Sequence, residues 1–232
     1  MKIGIKTAPE QHHLEDARKA GFKFVELYTN KRFLDKKYIE IAKKFPFQYS
    51  VHAPVDYVDE SAIDFAYAVG SKIVVAHFNL DLERLKELFS YAKNKGITLC
   101  VENSIGLKTA KALKDKGYAI YHVKPRTAQD FLTLEKKIPG IKMCFDTEHA
   151  MVVGMFPEMI RKLRNRIGYV HVTGYPPNYH SPPFENPEAV KKTIDELKKI
   201  HYNGFVVAET DLKYQTKENF LRIREFMEKL ME

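Results

Sequence analysis

The stretch Lys142-Met143-Cys144-Phe145-Asp146-Thr147-Glu148-His149-Ala150 is a short apolar run that ends in an aspartate, with a histidine three residues later. Such a run is typical of a buried β-strand whose last side chain emerges at the edge of a sheet. The same pattern, with a different polar residue at its end, recurs at Val25-Glu26, Val51-His52, Ala76-His77, Val101-Glu102, Val170-His171 and Ala208-Glu209. The predicted fold must therefore account for the carboxylate or imidazole at the end of so many strand-like runs.

Strand-like and helix-like segments alternate along the whole chain. The interval between the fifth and sixth strands is longer than the others, and it predicts a helix over 104–116 and a short extra strand over 118–123. The remaining predicted helices cover about 9–20, 35–44, 60–69, 82–95, 127–137, 157–166, 188–200 and 217–231. The predicted main strands cover 2–6, 22–28, 47–52, 72–77, 97–102, 141–146, 167–172 and 204–209.

This alternation, without a linker or a low-complexity segment, predicts the α/β class and a single (β/α)8 TIM-barrel domain over residues 1–232. The rival fold is an open doubly wound sheet. That fold normally has a glycine-rich phosphate loop after its first strand, and Thr7-Ala8-Pro9 is not such a loop.

The amino-acid composition and the net charge limit the classes of function that the protein could have. No run of about 18 apolar residues and no secretion signal are present, so we expect a cytoplasmic protein without a membrane partner. Cys100 and Cys144 lie in apolar runs, which favours reduced, buried packing residues over a disulfide. A net charge of +8 permits attraction to phosphates, although most Lys and Arg alternate with Glu and Asp on helix faces. Abundant Lys and Glu without Trp would also suit a thermophilic, heat-stable protein.

In a barrel of this kind, the carboxyl ends of the strands meet around one centre. Carboxylates and imidazoles gathered there would repel one another or lie desolvated unless a cation is bound. These residue types are the ligands that hold Mn, Mg, Co or Zn. The sequence therefore predicts a divalent metal site, with these candidate residues: Glu26, His52, His77, Glu102, Asp146, His171 and Glu209. We interpret His12, His13, His122 and His201 as surface residues.

With these motifs, the chain resembles the xylose isomerase-like TIM-barrel superfamily, which includes sugar isomerases, sugar epimerases and endonuclease IV-type apurinic endonucleases. The resemblance covers nearly the whole chain and depends on the order of the short motifs Val51-His52-Ala53-Pro54, Val75-Ala76-His77, Val101-Glu102-Asn103-Ser104, Phe145-Asp146-Thr147-Glu148-His149-Ala150, Tyr169-Val170-His171 and Val207-Ala208-Glu209-Thr210. It implies that Glu102, Asp146, His171 and Glu209 hold one divalent ion. It also implies that Glu102 and Glu209 are the catalytic acid/base pair and that His149 lies near the substrate.

The endonuclease branch of the superfamily implies further metals, and its pattern matches only in part. His52 and His77 stand where that branch has extra ligands, and His149 and His180 stand where it expects histidines. Asn178 replaces the expected aspartate before His180. These residues, together with Glu26, are therefore candidates for additional metal or substrate contacts.

Three functions stay open at this point. The preferred one is a metal-dependent isomerase or epimerase of a small sugar or sugar phosphate, for which Lys31, Arg32 and Lys124 are candidate phosphate contacts. The first alternative is a zinc-dependent endonuclease that cleaves DNA at abasic sites, with a nucleic acid as partner. The second is a non-catalytic binding protein on the same barrel. Short loops at the mouth would also suit a homo-oligomer in which a second subunit helps to close the site.

Overall fold

Eight parallel strands close a barrel in the computed structural model, which describes residues 1–55, 58–77, 81–105 and 125–232. Each strand pairs with the next one in sequence, and β1 pairs with β8 through Lys2↔Phe205 to Ile5↔Ala208. The strands are β1 (Lys2–Thr7), β2 (Phe24–Tyr28), β3 (Gln48–His52), β4 (Ile73–His77), β5 (Thr98–Glu102), β6 (Lys142–Asp146), β7 (Ile167–Val172) and β8 (Phe205–Ala208). The β1–β8 pairing confirms the predicted (β/α)8 barrel and excludes the open sheet.

Helices surround the barrel and follow the predicted segments closely. They are α1 (Gln11–Lys19), α2 (Lys36–Lys43), α3 (Glu60–Ala68), α4 (Leu82–Asn94), α5 (Ala128–Lys137), α6 (Thr147–Val152), α7 (Glu158–Leu163), α8 (Pro187–Lys199) and α9 (Lys217–Met231). Side chains cap many of the helix starts, as where Thr127 and Asp130 form a reciprocal capping box at α5. None of the helices in the described ranges is both long and apolar enough to cross a bilayer.

Two helix predictions need correction. Helix α6 starts directly after β6 and was not predicted, because its first turn is specified by a capping contact: the Asp146 carboxylate accepts a hydrogen bond from the His149 N–H at 2.7 Å. The helix predicted over 157–166 ends at Leu163, because Arg164 has a φ of 47° and a 3-10 turn follows. The helix predicted from residue 104 and the strand over 118–123 lie almost wholly outside the described residues, as do His122 and Lys124.

The barrel interior below the strand ends is filled with apolar side chains, which separate the mouth from the opposite end of the barrel. A cluster of buried side chains fills this lower part: Phe24, Val75, Cys100, Cys144, Tyr169 and Val207. The Phe24 ring stacks on Phe205 with ring centroids 3.7 Å apart. Gly4 leaves room for this stack, since a Cβ there would lie 2.4 Å from the Phe24 ring. Cys100 and Cys144 are free and buried, as predicted.

Candidate metal centre

The predicted polar residues converge at the mouth because they end neighbouring parallel strands. His52, His77, Glu102 and Asp146 are the last residues of β3, β4, β5 and β6. His171 lies one residue before the end of β7 and is level with Asp146 in the β6–β7 register. Glu209 follows β8 by one residue. All six side chains are buried, so that their charges interact with little screening by water.

The four predicted metal ligands form one group. One ligating atom from each of Glu102, Asp146, His171 and Glu209 lies within 4.8 Å of the others. His171 Nδ1 is 2.8 Å from Glu209 Oε2, 3.7 Å from Glu102 Oε2 and 3.9 Å from Asp146 Oδ2. Asp146 Oδ2 is buried without a hydrogen-bond partner, although a buried carboxylate oxygen normally has one. Three carboxylates and an imidazole with such an orphaned oxygen fit a divalent cation.

The charges of these residues are strongly coupled. Burial, together with the nearby charges of Glu102 and Glu209, raises the pKa of Asp146. Burial alone would also raise the pKa of Glu102, but His77, His52 and His171 hold it well below its usual value. His171 shows the reverse effect, because Cys144, Glu26 and Glu209 raise its pKa against the effect of burial. A divalent cation would relieve the repulsion at Asp146 and take the place of the proton on His171.

Glu26 does not lie at the mouth, contrary to the sequence-based expectation. It is level with Ser50, one layer below the pair Tyr28 and His52, and its side chain is fully buried. His171 Nε2 lies 3.0 Å and 3.1 Å from the two Glu26 carboxylate oxygens, so the Nε2–H group donates to Glu26. This contact selects the tautomer whose Nδ1 faces the three carboxylates. We therefore expect Glu26 to orient His171 rather than to bind an ion.

Lys6 on β1 is part of the centre and was not predicted. Its Nζ donates to Glu209 Oε1 at 2.6 Å and lies 3.9 Å from Glu26 Oε1. Burial would lower the pKa of this ammonium, but the charges of Glu209 and Glu26 raise it. The strand alternation in Lys2-Ile3-Gly4-Ile5-Lys6 was the available signal, because it separates the two isoleucines from the lysine face.

His52 and His77 form a second group with Glu102, and one ligating atom from each lies within 4.8 Å of the others. Their Nε2 atoms are 3.1 Å and 3.8 Å from Glu102 Oε2. His52 Nδ1 donates to the Ala53 carbonyl at 2.8 Å, which leaves Nε2 to face the Glu102 carboxylate. A neutral ring in that tautomer would point a lone pair at an anion. A metal ion between Nε2 and the carboxylate would remove this conflict.

His149 and His180 flank the centre. In α6, His149 Nδ1 donates to the Asn103 carbonyl at 2.7 Å, and its Nε2 pairs with the Tyr179 hydroxyl at 2.9 Å. His180 lies in the β7–α8 loop with a φ of 48°, and its ring Nδ1 is 3.9 Å from Asp211. Within the described part of the chain, neither residue joins a group with metal-ligand spacing. Both line the cavity at the mouth.

A cavity of about 280 Å³ opens at this mouth. Its size is near the lower end of small-molecule pockets. It is lined by Lys6, Tyr28, Val55, His77, Glu102, His149, Tyr179, His180, Glu209, Thr210, Asp211, Leu212 and Gln215. A larger hollow of about 560 Å³ lies at the opposite end of the barrel, around the two chain termini. No cluster of metal-ligand type includes a described residue of that hollow, so the mouth cavity is the candidate site.

A separate cluster lies near the start of α1. Glu10, His12 and His13 have ligating atoms within 4.8 Å of one another, and His12 is exposed, as predicted. Arg32 donates to Glu10 at 2.9 Å and to the Tyr38 hydroxyl at 3.1 Å. The Arg32 guanidinium therefore already has protein partners on α2 and before α1.

Residues 14–230 match the sequence pattern of the family described as the xylose isomerase-like TIM barrel. The chain belongs to this family. No curated protein matches the sequence.

Several solved structures share the fold of this xylose isomerase-like barrel. A D-tagatose 3-epimerase-like protein aligns over 100% of this chain and 97% of its own, with a TM-score of 0.77 and 20% identity. The D-psicose 3-epimerase of Clostridium cellulolyticum H10 aligns over 100% of both chains, with a TM-score of 0.70 and 16% identity. A family 2 AP endonuclease of Brucella melitensis aligns over 97% of this chain and 98% of its own, with a TM-score of 0.67 and 18% identity. At these identities, the likeness shows the shared fold.

Proposed function

We propose that this protein is a divalent-metal-dependent isomerase or epimerase of a small hydroxy-carbonyl sugar. The observation that carries the proposal is the group of three carboxylates and one imidazole at the mouth, with an orphaned buried oxygen on Asp146. The small cavity beside this group suits a sugar. Structural neighbours named as D-tagatose-like, D-psicose and L-ribulose 3-epimerases support the choice of reaction class.

The residues that would hold the ion are Glu102, Asp146, His171 and Glu209, whose ligating atoms are already close together. When bound, a divalent ion acts as a Lewis acid, which makes the hydrogen on the carbon next to a carbonyl more acidic. The Glu26 carboxylate keeps the His171 ring in the required orientation. Asn103 supports Asp146, because its amide Nδ2 donates to the Asp146 carbonyl and its Oδ1 accepts from the Asp146 N–H.

Glu102 and Glu209 are the proposed acid/base pair. They come from β5 and from the residue after β8, so they enter the cavity from different sides of the ring. Both carboxyls have a pKa held well below the usual value, which keeps them ionised as bases. One carboxylate can remove a proton from one face of the sugar. The other, after taking up a proton from solvent, can give that proton to the opposite face, which inverts that carbon. Transfer between neighbouring carbons by one carboxylate would instead isomerise the sugar.

The test is proton exchange during turnover. Protein loaded with Mn²⁺, Co²⁺ or Mg²⁺ is incubated in D₂O with a panel of ketoses and ketose phosphates, and products are followed by NMR. We expect interconversion of one sugar pair, with deuterium at the reacting carbon. Glu102→Gln and Glu209→Gln should each abolish exchange and keep the fold, whereas Glu196→Gln on the outer helix α8 should not affect exchange. Unchanged rates in both site variants would contradict the assignment of the pair.

Metal-dependent cleavage of DNA at abasic sites is a second candidate function. The additional group of His52, His77 and Glu102 favours it, and so do the +8 net charge and the likeness to an AP endonuclease family 2 protein. Asn178 in place of the expected aspartate opposes a complete three-metal cluster. Elemental analysis decides between the candidates: two or three Zn ions with cleavage of abasic duplex DNA would favour the nuclease. No ion after incubation with these metals would favour a binding protein.

A further inference from the structure

The Lys6 ammonium lies beside two buried carboxylates, those of Glu209 and Glu26, at the mouth of the barrel. It is only 6% exposed, and it donates to Glu209 Oε1 at 2.6 Å. Among the described residues that line the mouth cavity, it is the sole Lys or Arg side chain. It cannot itself bind a metal ion, because an ammonium offers no ligand atom while it is charged.

Three buried carboxylates act on the charge of this lysine, namely Glu209, Glu26 and Glu102. A fourth, Asp146, belongs to the same metal-ligand group as Glu209. Without a metal ion, Lys6 is the main cation beside Glu209, and it also lies 3.9 Å from Glu26. A divalent cation held by Glu209 would enter the same field. Two cations that share one carboxylate repel each other, and in a buried site this repulsion is poorly screened.

The two carboxylate oxygens of Glu209 point in different directions, so that each could contact a different cation. Oε1 faces Lys6, while Oε2 lies 2.8 Å from His171 Nδ1 on the side of the metal centre. A hydrogen bond to Oε1 restrains the carboxylate so that only Oε2 is presented to an ion. Lys6 thus positions Glu209 and opposes tight binding of the ion at the same time.

We propose that Lys6 is a resident cation of the metal centre that stabilises the metal-free protein, weakens binding of the divalent ion and keeps that ion exchangeable. The inference rests on the proposed metal centre, but it does not depend on which sugar reacts. The occupant that Lys6 opposes is a divalent cation that prefers oxygen ligands, such as Mn²⁺.

The test compares Lys6→Met with the wild-type protein. Methionine keeps an unbranched chain of similar length and removes the charge. We expect Lys6→Met to bind Mn²⁺ at least tenfold more tightly by calorimetric titration. Its metal-free form should unfold at a lower temperature than the wild type, and saturating Mn²⁺ should raise that temperature by a larger amount. Mn²⁺ is preferred to Zn²⁺ or Ni²⁺ because the His12–His13 pair on α1 favours the latter two ions.

Two matched variants control for side effects. Lys6→Arg keeps the charge and should bind Mn²⁺ with an affinity close to that of the wild type. Lys2→Met removes an exposed lysine from the other end of the same strand and should leave both measurements unchanged. If Lys6→Met does not fold, Lys6→Gln provides the same charge loss with a group that still donates to Glu209.

The possible outcomes separate this inference from the proposed function. If the wild type binds one Mn²⁺ and the neutral variants bind it equally or more weakly, the role of Lys6 is refuted while the metal centre stands. If the wild type binds no Mn²⁺, the centre itself is refuted, and both proposals fail. Tighter binding in Lys6→Met with wild-type affinity in Lys6→Arg supports the inference, whether or not a sugar substrate has been found.

Discussion

Replacing Glu26 with Gln tests whether a residue below the metal centre controls it. The two Glu26 oxygens lie 3.0 Å and 3.1 Å from His171 Nε2, and both side chains are fully buried. Loss of a carboxylate that orients a metal-ligating histidine typically weakens metal binding about 10- to 100-fold. That range corresponds to about 1.4–2.8 kcal/mol. Removal of a buried negative charge acts in the same direction, because it lowers the attraction of the site for a cation.

Calorimetric titration of metal-free Glu26→Gln with Mn²⁺ gives the affinity directly, and circular dichroism checks that the fold is kept. Gln is nearly isosteric with Glu and can still accept from the His171 Nε2–H, so we expect folded protein with weaker binding. Glu196→Gln removes a second buried carboxylate far from the mouth and should bind Mn²⁺ like the wild type. An affinity for Glu26→Gln within threefold of the wild-type value, or above it, would refute the orienting role.

Three further predictions concern the second histidine group, the β7–α8 loop and the ion pair between Arg161 on α7 and Glu196 on α8. A single-ion centre predicts one ion per chain, by elemental analysis, in both the wild type and His52→Gln/His77→Gln. Two ions in the wild type and one in the variant would reveal a second ion at these histidines. Gly174→Ala should lower the free energy of unfolding by about 1–3 kcal/mol, because the new Cβ would lie 2.2 Å from the backbone oxygen of Pro182 across the loop. Hydrogen bonds from Arg161 and Lys199 lower the pKa of Glu196 from 4.5 to about 2. These contacts therefore stabilise the fold above about pH 4.5, and their effect is lost as the pH falls towards 2. Glu196→Gln should reduce the pH dependence of stability in that range.

The positions of the strand ends could be predicted from the sequence because two simple rules coincide there. Buried parallel strands give short apolar runs, and the barrel brings all their carboxyl ends to one face. Asp146 is an example in which a single residue ends a strand, caps the next helix and points into the centre. The same logic placed His52, His77 and Glu102 correctly at the mouth.

The depth of a residue below the mouth could not be predicted in the same way. Depth depends on the stagger between neighbouring strands, and only the paired structure shows that Tyr28, not Glu26, is level with His52. Lys6 was overlooked for a related reason. A lysine in a short strand is usually solvated, and its burial becomes evident only when β8 brings Glu209 beside it.

The contact between Lys6 and Glu209 joins residues that are 203 positions apart in the chain. It forms across the seam where the first strand meets the last, while the other proposed ligands come from β5, β6 and β7. Contacts of such long sequence separation are slow to form, because the loop-closure entropy must be overcome first. We therefore expect the metal centre to be complete only when β1 pairs with β8. We also expect that a divalent ion does not template the early steps of folding, and that the appearance of ion binding during refolding reports when the barrel closes.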